Sequence, residues 1–525
     1  MGNAQSKVPA HVAARDKALL ERLRSIQLEK KDTSDDDYVH VEHLEKDHGQ
    51  NIEEMTHRQT RLPKGLSISD AQKWQASLLR DPKNRLAISA FTKTSPLSTL
   101  LSLSTQISQP HVFNIQIPLE GSPITHQHSS GRCWLFASTN VFRVALMQKY
   151  RLTEFELSQG YLFFWDKLEK ANWFLEQILD TADLQLDERL VQHMLREPLS
   201  DGGQWDMVYN LVDKYGLVPK GLYPDSWNAQ ESRTINTLIF SKLREDAMIL
   251  RRMVNEDNVT AQMVTEEKER MVREIHAILT LSLGPPPAAD ADFEWTYWDR
   301  DHVSRTVKIS PLEFARDISP SAPLFTPSVQ ISRASIASML SLVHDPRHEE
   351  LSLLSVDRLG NIVGGRGVRY INVSMDMLKT ACIKQLQAGI PVFFGCDVGK
   401  SSDRVTGVMD LDLYDYEVGF GVSINKGQGP EKKADRLRSG ESSMTHAMVL
   451  TAVHVVDGKS VRWRVQNSWG PEPGEKGWFV MSDGWMSEYC YQAVVDPRFV
   501  GHEVRDVLKK EPVVLPLWDP MGSLA

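Results

Sequence analysis

The 525-residue sequence predicts an α+β protein in which a helical half precedes a half that is rich in strands. Long segments with helical apolar spacing come before Gly284, whereas short β-branched and aromatic runs dominate after residue 360. Apolar residues make up 41% and charged residues 25%, a composition that can bury a large core. These observations exclude a wholly disordered or fibrous protein.

The helical pattern is carried by three segments. The run from Cys133 to Leu146 contains neither glycine nor proline and follows the polar turn Ser129–Gly131. Two amphipathic helices are predicted over 231–254 and 260–283, and Gly284 with three following prolines ends this part of the chain. The pattern of later residues predicts strands near Val392–Phe394, Met448–Val456, Arg462–Val465 and Trp478–Met481.

Charge and cysteine usage limit the classes of function. Sixty basic residues stand against 69 acidic ones, so the formal net charge is −9 and there is no global basic field. We expect no membrane span, since no apolar run approaches roughly 18–20 residues, and no secretory signal. The four cysteines form no Cys-x-x-Cys pair, which indicates a reducing cytoplasm without disulfides or a thiolate metal site.

Residues 1–65 differ from the rest of the chain. Residues 1–31 carry seven basic and three acidic residues, and residues 32–57 carry nine acidic and one basic. Apolar periodicity is weak, so we predict a mobile extension with one short helix. The histidines at 40, 43 and 48 lack supporting ligand spacing, and we predict no metal and no cofactor.

The first residues, Met1-Gly2-Asn3-Ala4-Gln5-Ser6, fit the pattern for N-myristoylation of Gly2. One myristoyl chain binds membranes only marginally, so the basic segment behind it would act as the second signal. Acylation would add a peripheral membrane fraction to the cytoplasmic pool. The alternative is an ordinary disordered start.

Cys133 is the candidate nucleophile among the four thiols. It follows a Ser-Ser-Gly-Arg turn at a predicted helix start, where the helix dipole and free backbone N–H groups favour a thiolate. The other three thiols lie in apolar contexts and are predicted to be inert core residues: Cys382, Cys396 and Cys490.

A thiolate nucleophile needs a proton partner, an orienting group and an oxyanion donor. His446 opens an apolar strand, and Asn467 follows 21 residues later in Asn-Ser-Trp-Gly. Gln127 lies six residues before Cys133 and can offer a side-chain N–H beside the backbone N–H of Cys133. The conjunction of these motifs is far more specific than any one of them.

These motifs resemble the papain-like cysteine peptidases, which use a Cys-His-Asn constellation. Two departures point to one branch, the bleomycin hydrolases. The Ser-Ser-Gly-Arg-Cys-Trp motif differs from the papain form, and His446 lies 313 residues beyond Cys133 rather than roughly 130–150. Roughly 160–180 residues must therefore be inserted, including a helical insertion at about 225–290. The matching motifs are Gln127–Ala137, with His128 where Lys is common, and Glu156–Gln159, Asp201–Trp205, Asp345–His348 and Met444–Met448.

The resemblance runs from about residue 66 to Ala525 and implies roles for the matching residues. Cys133 would be the nucleophile, His446 the base and then the acid, and Asn467 the group that orients the imidazole. Gln127 would donate to the oxyanion. Trp469 would shield the His446–Asn467 hydrogen bond from water.

The C-terminal tail, residues 515–525, contains two prolines and a glycine and cannot continue a helix. Because it is apolar, we expect it to dock rather than lie in water. The resemblance implies that it lies in the active-site cleft, where the Ala525 carboxylate would anchor the substrate's α-amino group.

The resemblance thus implies a cysteine aminopeptidase that acts on peptides and small amides with a free N-terminal amine, such as bleomycin or homocysteine thiolactone. It also implies a homohexamer whose active sites face an internal chamber. The alternative is a nucleic-acid-binding regulator on the same scaffold, because some relatives bind DNA through a basic channel. A catalytically inactive scaffold is disfavoured because all four catalytic-type residues are present.

Overall fold

The computed structural model describes residues 65–316, 333–424 and 427–523. The chain divides into two units, residues 1–75 and 76–525. Apart from Gly65, the predicted extension lies outside the described residues, as do Gly2 and the three N-terminal histidines. Over the described ranges, no helix combines the length and the apolar character that a bilayer crossing requires.

The described helices occur mainly between residues 68 and 283. In chain order they are α1 (Ile68–Leu78), α2 (Pro82–Phe91), α3 (Pro96–Leu100), α4 (Leu103–Ser108), α5 (Cys133–Tyr150), α6 (Gln159–Asp180), α7 (Arg189–Arg196), α8 (Trp205–Tyr215), α9 (Trp227–Gln230), α10 (Arg233–Val254), α11 (Ala261–Leu283), α12 (Pro311–Arg316), α13 (Arg333–Ser338), α14 (Met375–Gln387), α15 (Tyr416–Phe420), α16 (Pro430–Ser439), α17 (Asp483–Tyr489) and α18 (His502–Asp506). Three short 3₁₀ turns follow near the C-terminus: Pro497–Phe499, Val507–Lys509 and Pro520–Gly522.

The strands lie mostly in the second half of the chain. They are β1 (Ile115–Gln116), β2 (Phe293–Trp298), β3 (Ser304–Ile309), β4 (Leu340–Val343), β5 (Leu353–Val356), β6 (Tyr370–Asn372), β7 (Val392–Cys396), β8 (Ser402–Asp403), β9 (Val408–Met409), β10 (His446–Val456), β11 (Lys459–Gln466), β12 (Trp478–Ser482), β13 (Cys490–Val495) and β14 (Val513–Leu515). Twelve of them form one sheet within the described residues, in the order β14-β5-β6-β4-β13-β7-β10-β11-β12-β9-β8, with β1 added on β10. β2 and β3 form a separate antiparallel hairpin.

The helical half is built around α5. Nearly every residue of this helix is buried, because it packs on β10 on one side and on α6 on the other. The two predicted amphipathic helices are confirmed as α10 and α11, which pack on each other and on α6. Their apolar stripe enters the same core as α5, with Ile235 and Ile239 fully buried.

The sheet half has its own core on the opposite face of the sheet, where α14 covers β7, β10 and β13, and α17 covers β11, β12 and β13. β10 and β11 form the antiparallel hairpin that carries the candidate base and its partner. The predicted strands are confirmed, but strands of the sheet also occur before residue 360, at β1, β4 and β5. All four residues of β4 are buried, so this strand lacks the polar alternation by which a half-exposed strand is detected.

Candidate active site

The turn before Cys133 is held by a buried arginine. The Arg132 guanidinium donates to both carboxylate oxygens of Asp225, at 2.7 and 3.2 Å, and its Nε donates to the Ser130 hydroxyl at 2.9 Å. Arg132 is fully buried, so this bidentate pair is shielded from water. Cys133 then begins α5 directly after the fixed turn.

Asp201 joins three parts of the chain at this turn. Its carboxylate accepts hydrogen bonds from Lys167 Nζ at 2.5 Å and, more weakly, from the Gly131 backbone N–H at 3.3 Å. It also accepts hydrogen bonds from Ser232 Oγ, directly before α10, at 2.5 Å and from Asn236 Nδ2, on α10, at 2.9 Å. Burial raises the pKa of Asp201, but the Lys167 charge and these hydrogen bonds outweigh it and hold the pKa well below its usual range.

Gly131 is required by this contact. A Cβ at Gly131 would lie 2.7 Å from the Cβ of Asp201, closer than real Cβ contacts occur. The glycine of the turn therefore allows Asp201 to approach the backbone next to the nucleophile.

The candidate base lies at the start of β10 and its partner follows the end of β11. Because these two strands pair in antiparallel register, His446 and Asn467 are neighbours. His446 Nε2 and Asn467 Oδ1 are 2.9 Å apart, and Asn467 Oδ1 also accepts the Ser468 backbone N–H at 2.8 Å. The Trp469 ring lies against the imidazole, with 5.0 Å between the ring centroids.

Three of the predicted residues face one cavity: Gln127, Cys133 and His446 line a space of about 470 Å³. Gln127 is fixed by Ser468, which accepts its backbone N–H at 2.8 Å and donates its hydroxyl to Gln127 Oε1 at 2.7 Å. One side-chain N–H of Gln127 is engaged, because Nε2 donates to the Ser130 carbonyl at 2.7 Å.

Burial shifts the pKa values of both Cys133 and His446. It raises the pKa of Cys133 to about 11, although backbone hydrogen bonds from Ala447, Trp134 and Cys133 itself act in the lowering direction. Burial likewise lowers the pKa of His446 to about 4, and Asn467 opposes this shift. Burial therefore acts against the thiolate that the helix start favours, and the backbone hydrogen bonds act in the direction that the sequence predicts.

The other three thiols are buried and unpaired, as predicted. Burial raises the pKa of Cys382 and Cys396 well above the ordinary value and that of Cys490 to about 11. Cys133 shares the raised pKa but lines the cavity. Access to the cavity, rather than acidity, is what makes Cys133 the candidate nucleophile.

The C-terminal tail is attached to the protein at several points. β14 pairs with β5, and Asp519 accepts hydrogen bonds from Arg347 at 2.7 and 3.1 Å. Further along, the Ser523 carbonyl accepts from Gln204 Nε2 at 3.0 Å. Ala525 lies outside the described residues, which end at Ser523.

The end of the tail lines a second cavity, of about 450 Å³. Glu197, Leu199 and Ser200 line both this cavity and the catalytic one, so the two spaces adjoin. Ser523 therefore lines a cavity that adjoins the one containing Cys133.

Sequence reasoning did not assign roles to Asp201, Lys167 or the Arg132–Asp225 pair. Asp201-Gly202-Gly203 was visible as a motif, but its function depends on partners 31 to 70 residues away in the sequence. No local pattern marks such partners.

A nucleophile at a helix start, a His-Asn pair on an antiparallel hairpin and an α+β architecture define the papain-like cysteine peptidases. The chain belongs to the Peptidase C1-like family, whose model matches residues 65–522. It is 41% identical to cysteine proteinase 1, mitochondrial, of Saccharomyces cerevisiae, over 89% of this chain and 94% of the yeast protein. It is 42% identical to bleomycin hydrolase of Homo sapiens, over 85% of this chain and 95% of the human protein.

A solved structure agrees with these relatives. PepW from Lactobacillus rhamnosis HN001 superposes with a TM-score of 0.81 at 37% identity, over 88% of this chain and 99% of that chain. The predicted family, fold class and enzyme class are thereby confirmed: the protein is a cysteine-type aminopeptidase of the bleomycin hydrolase type. The comparisons give no support to the nucleic-acid-binding alternative.

Proposed function

We propose that the protein removes residues from the N-terminus of peptides, and hydrolyses small amides such as bleomycin, through an acyl-enzyme on Cys133. The observation that carries this proposal is the shared cavity, in which Cys133, His446 and Gln127 meet while Asn467 holds the imidazole. Peptide substrates agree with the peptidase relatives.

The reaction begins at Cys133 and His446, which line the same cavity. Cys133 Sγ attacks the carbonyl carbon of the first substrate residue as its proton passes to His446, and the C–S bond forms. The carbonyl oxygen becomes an oxyanion, which accepts hydrogen bonds from the Gln127 side chain and the Cys133 backbone N–H.

His446 then returns the proton to the leaving amine as the C–N bond breaks, which leaves a thioester on Cys133. A water molecule, deprotonated by His446, attacks the thioester carbonyl carbon. The C–S bond then breaks, the amino acid is released, and His446 returns the proton to Cys133 Sγ. Asn467 accepts from His446 Nε2 throughout, so the other ring nitrogen stays directed at the reacting atoms. Trp469 covers this hydrogen bond against water.

The tail supplies the aminopeptidase character in this proposal. In this proposal, the Ala525 carboxylate pairs with the substrate's α-ammonium group. It also blocks longer chains on that side of Cys133. The support is the placement of residues 517–523 along the adjoining cavity.

The central test is hydrolysis of an aminoacyl fluorogenic amide by wild type, Cys133→Ala and the matched thiol control Cys382→Ala. We expect Cys133→Ala to lose turnover and to form no acyl-enzyme, while Cys382→Ala retains turnover. Turnover that persists in Cys133→Ala would contradict the proposal.

The role of the tail is tested by deleting Ser523 to Ala525 and comparing free with N-acetylated peptide amides. We expect the preference for free amines to fall and endopeptidase cleavage to appear. An unchanged preference for free amines would contradict the role proposed for Ala525. It would not contradict the role of Cys133 as the nucleophile.

Assembly and location follow the family resemblance. A homohexamer with its active sites in an internal chamber is tested by sedimentation, where a monomer would contradict it. Four unpaired cysteines support the cytoplasm, although the yeast relatives are named mitochondrial. Acylation of Gly2, with its membrane fraction, is tested by comparing wild type with Gly2→Ala for myristate incorporation.

A further inference from the structure

One wall of the catalytic cavity comes from the helix that follows the Asp225 loop rather than from the elements that carry the catalytic residues. Four residues of α10 line the cavity at helical spacing, so they lie on one face: Arg233, Asn236, Thr237 and Phe240. We refer to these four residues as the α10 wall. Glu197 and Leu199, just beyond α7, also line the cavity.

The α10 wall is tied to the nucleophile turn. The Ser129 backbone N–H donates to the Gln230 carbonyl at 2.9 Å, which joins the turn to the residues just before α10. Asp201 accepts from Ser232 and Asn236 on the wall side and from Gly131 on the turn side. The wall therefore stands at a fixed place relative to Cys133, as a specificity pocket requires.

Two charges in the cavity are open to a ligand. Asp201 is neutralised by Lys167. Arg233 and Glu197 are exposed, and within the described part of the chain neither has an ion-pair partner. These two side chains are therefore cavity charges with which a charged substrate can pair.

Their positions separate their roles. Glu197 also lines the cavity beside the tail, so it lies at the end where the substrate's amino group is bound in the proposed function. Arg233 lines only the catalytic one of these two cavities. Further along the same face, the Arg244 guanidinium lies 5.7 Å from the Phe240 ring centroid, so the wall continues with positive charge.

We propose that the α10 wall binds the side chain of the substrate's N-terminal residue and that Arg233 makes the enzyme favour acidic over basic side chains there. This inference rests on the proposed function, because it assumes that Cys133 attacks the first carbonyl of the substrate. Thr237 and Phe240 limit the size of the substrate side chain, and Arg233 pairs with a negative charge on it.

The experiment compares kcat/KM for three fluorogenic amides with N-terminal Glu, Gln or Lys, which have similar length and different charge. The variants are Arg233→Gln and Arg233→Glu, with Arg252→Gln as the matched control, since Arg252 is an exposed arginine of α10 outside the cavity. We expect Arg233→Gln to lower the Glu-to-Lys ratio about fivefold, the scale of one exposed ion pair, and Arg233→Glu to lower it further. Arg252→Gln should leave the ratio unchanged.

Two further measurements distinguish charge from size. Raising the ionic strength should shrink the wild-type Glu-to-Lys ratio, because screening weakens exposed charge pairs. With an N-terminal Ala amide added as a fourth substrate, Thr237→Phe should lower kcat/KM for the Gln and Glu amides more than for the Ala amide, because the larger side chain occupies space along the α10 wall.

The outcomes separate this inference from the proposed function. If wild type shows no Cys133-dependent hydrolysis of any of these amides, the proposed function fails. A second outcome is hydrolysis that depends on Cys133, with the same Glu-to-Lys ratio of kcat/KM in wild type, Arg233→Gln and Arg233→Glu. In that case Arg233 does not select the charge of the substrate side chain. A size response to Thr237→Phe that is equal for all substrates would reject the wall itself.

Discussion

The two sides of the active site are held together by different interactions. On the nucleophile side, buried ion pairs connect separate segments: Arg132 with Asp225 and Lys167 with Asp201. On the base side, His446 and Asn467 take their positions from the backbone pairing of β10 with β11, and one neutral hydrogen bond links them.

This difference indicates how each side responds to substitution. Removing one partner of a buried ion pair leaves an uncompensated charge and costs about 3–5 kcal/mol. Removing a neutral hydrogen bond costs about 1–3 kcal/mol, because no charge is left behind. The nucleophile side therefore depends on single side chains for its stability, whereas the base side depends on the sheet and uses its side chains for chemistry.

The largest effect on stability is expected for Asp201→Ala. The substitution leaves the fully buried Lys167 without its carboxylate and releases Gly131, Ser232 and Asn236. The free energy of unfolding in urea should fall by about 3–5 kcal/mol. Asp187→Ala, at an exposed position, should change it by less than about 0.5 kcal/mol. Equal losses in the two variants would contradict the importance of the buried pair.

A smaller stability change and a larger kinetic one are expected for Asn467→Ala. Without its acceptor the imidazole loses its fixed orientation, so kcat/KM should fall about 10- to 100-fold, part of the contribution of a positioned base. The free energy of unfolding should fall by only about 1–2 kcal/mol. Asn114→Ala, which removes hydrogen bonds to Val455 at the far end of β10, should leave kcat/KM unchanged. If Asn467→Ala destabilises the protein as much as Asp201→Ala does, the proposed difference between the two sides of the active site is contradicted.

The smallest effect is expected for Trp469→Ala, as a shift of the acidic limb in the plot of kcat/KM against pH. Burial lowers the pKa of His446 to about 4, and protonated imidazole cannot accept the Cys133 proton, so wild-type activity should persist below pH 6 and fall towards pH 4. Trp469→Ala admits water, so the pKa should rise towards its ordinary value and the limb should move to higher pH by about one unit. Trp298→Ala, at an exposed ring of the separate hairpin, is the control. A limb that stays in place in Trp469→Ala would show that Trp469 does not set the burial of His446.

Much of the fold was predictable because its signals are local. The apolar spacing of α10 and α11 and the strand patterns around His446 and Trp478 reflect propensity and periodicity within short windows. The strands β4 and β5 were not predicted, because they are short and buried and so lack the alternation of apolar and polar residues. The partners of Asp201 were not predicted because only tertiary packing brings them together.

The sequence by itself determined the family, the α+β class and the candidate residues, since motifs around Cys133, His446 and Asn467 are specific even though 313 residues separate the first two. Only the tertiary structure decided how far the catalytic thiol and imidazole are removed from water. A helix start predicts a lowered pKa for Cys133, but desolvation depends on everything that surrounds the sulfur, and here burial raises the pKa to about 11. It also decided that α10 lies beside the nucleophile, because long-range ion pairs and hydrogen bonds, rather than local propensity, place that helix there.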